Sequence, residues 1–161
     1  MIQKKICTVG AYGAGKTSLV RRFVDSMFDE RYHTTVGVKI DKKVVKVDAG
    51  PIMMMIWDLA GGDETEDPRL SHLRGANGYI LVVDGCRKWT LERALVLRKG
   101  IREQFGELPH VLAVNKADLK DMWEIDDTSL IACDVENIFF TSAKTGDSVE
   151  AMFESLAIKM L

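Results

Sequence analysis

At 161 residues, 47% of them apolar and 29% charged, the chain has the length and composition of one globular domain that can bury a core. Its net charge of −2 excludes the positive field of a nucleic-acid binder, and no run reaches the ~20 apolar residues of a membrane span. Three widely spaced cysteines, Cys7, Cys86 and Cys133, read as buried free thiols. Met1 to Val9 is too short for a signal peptide, so a cytoplasmic location is expected.

In chain order, Lys5 to Val9 reads as a strand. A helix follows from Lys16, with Leu19, Val20, Phe23, Val24 and Met27 as its apolar stripe. Val36 to Val47 and Ile52 to Asp58 read as two strands joined by the turn Asp48-Ala49-Gly50-Pro51. Tyr79 to Asp84 is a continuous apolar run closed by an acid, the pattern of a strand buried on both faces. The next helix places Leu91, Ala94, Leu97, Ile101 and Phe105 on one side. Val111 to Val114 and Ile138 to Phe140 are further buried strands. The last helix reads with Asp147 as N-cap and Glu150 three residues on, and with Val149, Met152, Phe153 and Leu156 inward. Strands alternating with helices imply an α/β fold, a mainly parallel sheet covered on both faces, with ligands beyond the carboxyl ends of the strands.

The loop after the first strand, Gly10-Ala11-Tyr12-Gly13-Ala14-Gly15-Lys16-Thr17, matches G-x-x-x-x-G-K-[ST] between a strand and an amphipathic helix. Its glycines let successive N–H groups converge on one anion, and the helix N-terminus adds its dipole. Lys16 is placed to reach terminal phosphates and the Thr17 hydroxyl to ligate Mg²⁺. A glycine-rich turn with a solvated lysine is the bland alternative, and the loop leaves ATP and GTP both open. Asn115-Lys116-Ala117-Asp118 after Val111–Val114 narrows the choice. A carboxylate there accepts from both N1–H and the exocyclic amine of guanine, whereas adenine leaves it unpaired. Asn115 would tie loops together, the Lys116 stem would cover the ring, and the backbone of Thr141-Ser142-Ala143-Lys144 would meet the guanine carbonyl.

With these motifs in order, the chain resembles a Ras-superfamily small GTPase, nearest the Rab-like branch, over essentially its whole length. Thr34-Thr35-Val36-Gly37-Val38 and Asp58-Leu59-Ala60-Gly61 match the family's two switch motifs. The resemblance implies one G domain over residues 1–161, with six strands, the second antiparallel, and five helices. It implies a Mg²⁺-dependent GTP/GDP switch that hydrolyses GTP, with a GTP-loaded scaffold as the alternative. By position it assigns Lys16, Thr35 and Gly61 to the chemistry, and Thr17, Thr35 and Asp58 to Mg²⁺. Nucleotide contacts would come from Tyr12, Gly13, Ala14, Gly15, Lys16, Thr17 and Ser18 of the loop, and from Phe28 and Tyr32. Thr35, Gly61, Asn115, Lys116, Asp118, Ser142, Ala143 and Lys144 complete that set. Effectors and regulators would dock on an exposed apolar triad at Ile40, Trp57 and Leu73, although Ile40 and Leu73 replace the usual aromatics and core packing is the alternative for both.

Three features depart from the family pattern. Gly62 stands where most relatives carry the glutamine that orients the attacking water. Asp63 is a poor electrostatic substitute beside a triphosphate, and Arg31 reads as a solvated arginine. Tyr12 fills a position usually held by a small residue. Eukaryotic relatives end in a tail with cysteines for prenylation, whereas the sequence reads to Ile158-Lys159-Met160-Leu161 without them, which fits a shortened chain as well as a prokaryotic-type or otherwise unlipidated relative. His33, His72 and His110 lack a partnering pattern and read as surface or satisfied histidines.

Overall fold

The computed structural model describes residues 1–25, 38–59 and 70–161. Its centre is a six-stranded sheet ordered β2-β3-β1-β4-β5-β6. The strands are β1 (Ile2–Gly10), β2 (Val38–Val47), β3 (Gly50–Leu59), β4 (Gly78–Asp84), β5 (His110–Asn115) and β6 (Ile138–Thr141). β2 and β3 pair antiparallel, and every other pairing is parallel. The α/β, mainly parallel architecture expected from the sequence is therefore observed.

Alternation along the strands divides the core in two. Ile80 and Val82 of β4 face α1 (Lys16–Asp25) and α4 (Val149–Lys159), in a cluster with Ile6, Phe23, Ile56, Met152 and Phe153. Tyr79, Leu81 and Val83 face the other way, toward α2 (Lys88–Phe105) and the short α3 (Asp127–Ala132), with Cys7, Leu91, Ala94 and Leu130. Residues of one apolar run thus alternate between two cores, which is why all seven positions of β4 are buried. On the α1/α4 side, the rings of Phe23 and Phe153 stack with centroids 3.8 Å apart and lock the first helix to the last.

Several boundaries differ from the sequence reading. The β2–β3 turn contracts to Asp48-Ala49, because Gly50 and Pro51 already pair with Val47 and Lys46. Pro51 is tolerated there because the β1 ladder begins only at Ile2 opposite Ile52. Four α-helices and two 3₁₀ segments (Leu70–Leu73 and Ala117–Met122) occur among the described residues. The brief α3 escapes periodicity analysis, although Asp126 caps it by accepting from the Ser129 N–H at 2.8 Å.

Asp147 is not the cap of α4. That position falls to Ser148, in a left-handed backbone (φ 59°) with no side-chain cap bond. The preceding turn is closed by its own bonds, Ser142 N–H to Asp147 O and Gly146 N–H to Ser142 O, which commit Asp147 to the loop. Glu150 instead pairs with Lys43 of β2 at 3.2 Å. Cys7, Cys86 and Cys133 are free; Cys7 and Cys133 are buried, while Cys86 is half-buried. Burial pushes the Cys7 thiol up to about 12, against the pull of Lys5. No helix among the described residues is long and apolar enough to cross a membrane.

Phe153→Ala should remove both the stacked pair and core volume, costing about 3–5 kcal/mol of unfolding free energy. Urea denaturation in a fixed buffer measures it, and a loss below about 1 kcal/mol would show that the α1–α4 contact is dispensable.

Candidate nucleotide site

β1 lies where the sheet order reverses, between β3 and β4, so the loop that leaves it opens into the crevice where such sheets bind ligands. Register brings the other loops to the same edge: Gly10 is opposite Val82, Asp84 opposite Asn115, and Asn115 opposite Thr141.

Within the first loop, Lys16 opens α1 and is only 6% exposed. Its Nζ donates to the Gly10 and Ala11 carbonyls, both at 3.1 Å. Burial pushes the ammonium down to about 8, against the opposing pull of Asp58. Gly15 has a left-handed φ of +100°, and a Cβ there would lie 2.2 Å from Asn115 Nδ2. The glycine is thus required by both its conformation and the side chain packed against it. Ser18 lies in the first turn of α1, Ala14 is buried, and Tyr12 is 41% exposed.

Asp58, near the end of β3, is 1% exposed. Thr17 Oγ1 donates to its Oδ2 at 2.6 Å, and Thr8 Oγ1 donates to its Oδ1 at 3.0 Å. A hydroxyl and a carboxylate so close form the hard-oxygen donor set that suits Mg²⁺. The residues present therefore fit the metal implied by the motif.

At the other end of the crevice, Asn115 Nδ2 donates to Ala14 O at 3.2 Å and Oδ1 accepts from Thr141 Oγ1 at 3.3 Å. Asn115 ties the loops as its motif implies. Lys116 adopts a left-handed backbone (φ 72°), uncommon outside glycine and costly by about 1–3 kcal/mol. Trp123 Nε1 holds that conformation by donating to Lys116 O at 2.8 Å. Asp118 is exposed, and its carboxylate accepts from Ser142 Oγ at 2.8 Å, which joins it to the β6 loop. Arg22 of α1 donates to the Ala143 carbonyl at 2.7 Å and to that of Lys144, so the helix after the phosphate loop grips the last loop.

The Ras family profile matches residues 5–161. This chain belongs to the Ras family. Among curated relatives it is 34% identical to the Ras-related protein Rab-18-B of Danio rerio, over 98% of this chain and 78% of that protein. It is 30% identical to Rab-13 of Canis lupus familiaris (98% and 79%) and 33% identical to Rab-1 of Theileria annulata (95% and 72%). It is thus a Rab-like small GTPase, a GTP-binding switch of the Ras superfamily.

For this Ras-family chain, the structure brings together the loop residues from Tyr12 to Ser18, Asp58, Asn115, Lys116, Asp118 and Ser142 to Lys144. Phe28, Arg31, Tyr32, His33, Thr35, Gly61, Gly62 and Asp63 lie outside the described residues. The expected apolar triad needs correction. Ile40 is 46% exposed and pairs across the ladder with half-buried Trp57, but Leu73 is 0% exposed, packed into the core on the α2 side. Its place at the end of a 3₁₀ segment turns the side chain inward. His72 also departs from expectation: its Nδ1 is buried with no hydrogen-bond partner among the described residues, while its ring meets Trp57 edge-on at 6.2 Å. His110 is satisfied, with Nδ1 2.9 Å from Leu108 O and the ring stacked on Tyr79.

Thr8, Arg22, Asp84, Arg87 and Trp123 take part in the site but are missed by motif reading, and the Thr141 side chain adds a bond to Asn115 beside the backbone role expected of it. Only Asp84 carries a sequence signal, as the acid that closes a buried run at the ligand edge of the sheet. Gly15→Ala should lower guanine-nucleotide affinity by more than about tenfold, because strain and a clash with Asn115 fall on the loop together. Equilibrium titration with a fluorescent GDP tests this, and wild-type affinity would contradict the close packing of Gly15.

Proposed function

We propose that residues 1–161 form a single Mg²⁺-dependent GTP/GDP switch domain that hydrolyses GTP slowly and signals to effectors through its switch surface. The carrying observation is the convergence at one sheet edge of a phosphate loop, the Thr17–Asp58 oxygen pair and the Asn115/Asp118 base loop. A buried ammonium held by two neutral carbonyls, with Asp58 as a nearby opposing charge, is costly, and a triphosphate would offset that cost at Lys16. Thr17 and Asp58 would hold Mg²⁺, joined by Thr35 in the GTP state; when bound, the metal neutralises charge on the β- and γ-phosphate oxygens. Asp118, positioned by Ser142, would accept from the two guanine donors. Thr35 and Gly61 would close on the γ-phosphate and release it after hydrolysis. Phe28 and Tyr32 would flank the base and phosphates. Ile40 and Trp57, adjacent on the ladder, would supply the partner surface.

The base assignment is tested by Asp118→Asn. The variant should lose guanine nucleotides and gain xanthine nucleotides, since xanthine offers a carbonyl where guanine has its amine. Unchanged GTP affinity would remove Asp118 from base reading.

Gly62 favours slow chemistry, and it supports a second reading in which the GTP-loaded protein acts as a scaffold. Phosphoryl transfer depends on positioning and charge stabilisation, so a missing water-positioning side chain slows the step while leaving binding intact. Unaided turnover is expected to be no faster than about 10⁻³ s⁻¹, the order of a small GTPase that has its glutamine. Single-turnover hydrolysis should rise in Gly62→Gln. Fast wild-type turnover that this substitution leaves unchanged would mean another group already handles the water.

A further inference from the structure

Asp84 ends β4 almost fully buried, at 1% side-chain exposure, and three donors converge on it. Its Oδ2 accepts from Lys116 Nζ at 2.7 Å and from Arg87 Nε at 2.8 Å, while Oδ1 accepts from the Cys86 N–H at 2.9 Å. Burial alone would raise this carboxyl, but the bonds from Lys116, Arg87 and Cys86 outweigh it and hold the acid below the usual carboxylate range. The acid is therefore a fixed anion. Arg87 uses that anchor to reach further: its Nη2 donates to the Tyr12 carbonyl at 3.1 Å, across 75 residues of sequence.

A peptide plane has its C=O and N–H on opposite sides, so pinning the Tyr12 carbonyl fixes the Gly13 N–H toward the other side of the loop. Gly13 has a left-handed φ of 73°, the conformation in which a glycine-rich loop can aim successive N–H groups inward. Without the pin, little in a glycine peptide opposes rotation, and a rotated peptide would turn its carbonyl toward the phosphates. The same guanidinium also joins the loop to the base side, because Asp84 is shared with Lys116.

We infer that Arg87 is a positioning residue for nucleotide retention: it latches the Tyr12–Gly13 peptide of the phosphate loop to the Asp84–Lys116 pair and so slows GDP release. This rests on reading the loop as the seat of the phosphates. Arg87 acts through the backbone, on the outer side of the loop, and touches no reacting atom. Removing it leaves Asp84 with Lys116 and the Cys86 N–H, so the anchor remains satisfied. The Arg87 guanidinium also stands 5.3 Å from the Trp89 ring, an apolar neighbour for the unbranched stem of a methionine.

The test is Arg87→Met. Loss of a charge-assisted hydrogen bond to the loop should speed release of fluorescent GDP by about tenfold or more. The loop cradles the α- and β-phosphates, so affinity for GDP should fall more than affinity for GMP. Guanine-over-xanthine preference, which resides in Asp118, should stay unchanged, as should the melting temperature of nucleotide-stripped protein. Release of GDP at the wild-type rate overturns the latch. Equal losses for GDP and GMP together with a lowered melting temperature overturn it too, because they mark general loosening. If wild type itself fails to retain GDP, the nucleotide reading falls and the latch with it; a wild type that retains GDP separates the two outcomes.

Discussion

The Asn115 side chain is the joint on which the rest of the site depends. Its amide nitrogen holds the Ala14 carbonyl of the phosphate loop, and its oxygen accepts from Thr141 at the end of β6. Both bonds are buried, where each polar group needs a partner and an unmade bond costs more than a made one gains. The amide can make them only because Gly15 has no side chain to occupy the space. One asparagine thus sets the distance between the first loop and the last, and Gly15, far from it in sequence, is fixed by the same contact.

Around that joint the molecule fastens the crevice with bonds that are long in sequence and short in space. Arg22 crosses 121 residues to the last loop, Arg87 crosses 75 to the first, and Thr17 crosses 41 to Asp58. The two arginines are suited to this work: a planar guanidinium presents several donors in a fixed fork and holds two acceptors without losing its charge. Arg22 grips two backbone carbonyls and Arg87 one, so the loops are held by their peptide groups while their side chains and N–H groups stay available to a ligand.

The α/β class, the six strands and the loops that meet at one sheet edge were legible in the sequence, because a buried parallel strand writes itself as an apolar run and a phosphate loop as fixed glycine spacing. What stayed hidden follows from the same physics. Arg22, Arg87 and Thr8 act by single contacts to distant residues, which leave no local pattern. The Asp147 cap failed because the turn before α4 closes on itself, a competition between local hydrogen bonds that the capping pattern does not weigh. Leu73 was misplaced because a residue at the end of a short 3₁₀ segment has no periodicity to say which way it faces, and tertiary packing decides.

Tyr12 brings the holding and the reacting parts of the site to one residue. Its carbonyl belongs to the outer, Arg87-bound side of the loop, while its ring is substantially exposed. A small residue at this position would leave the loop's rim open, whereas the tyrosine adds bulk that the fixed backbone cannot easily swing away, because the carbonyl is tethered through Arg87 to a buried carboxylate. Moving the ring therefore falls to side-chain rotation, which costs little and occurs fast compared with loop rearrangement. On the proposed reading, the loop fastened through Arg87 would serve retention of the nucleotide, while Gly62, with no side chain for the water, would leave the chemistry open to help from outside.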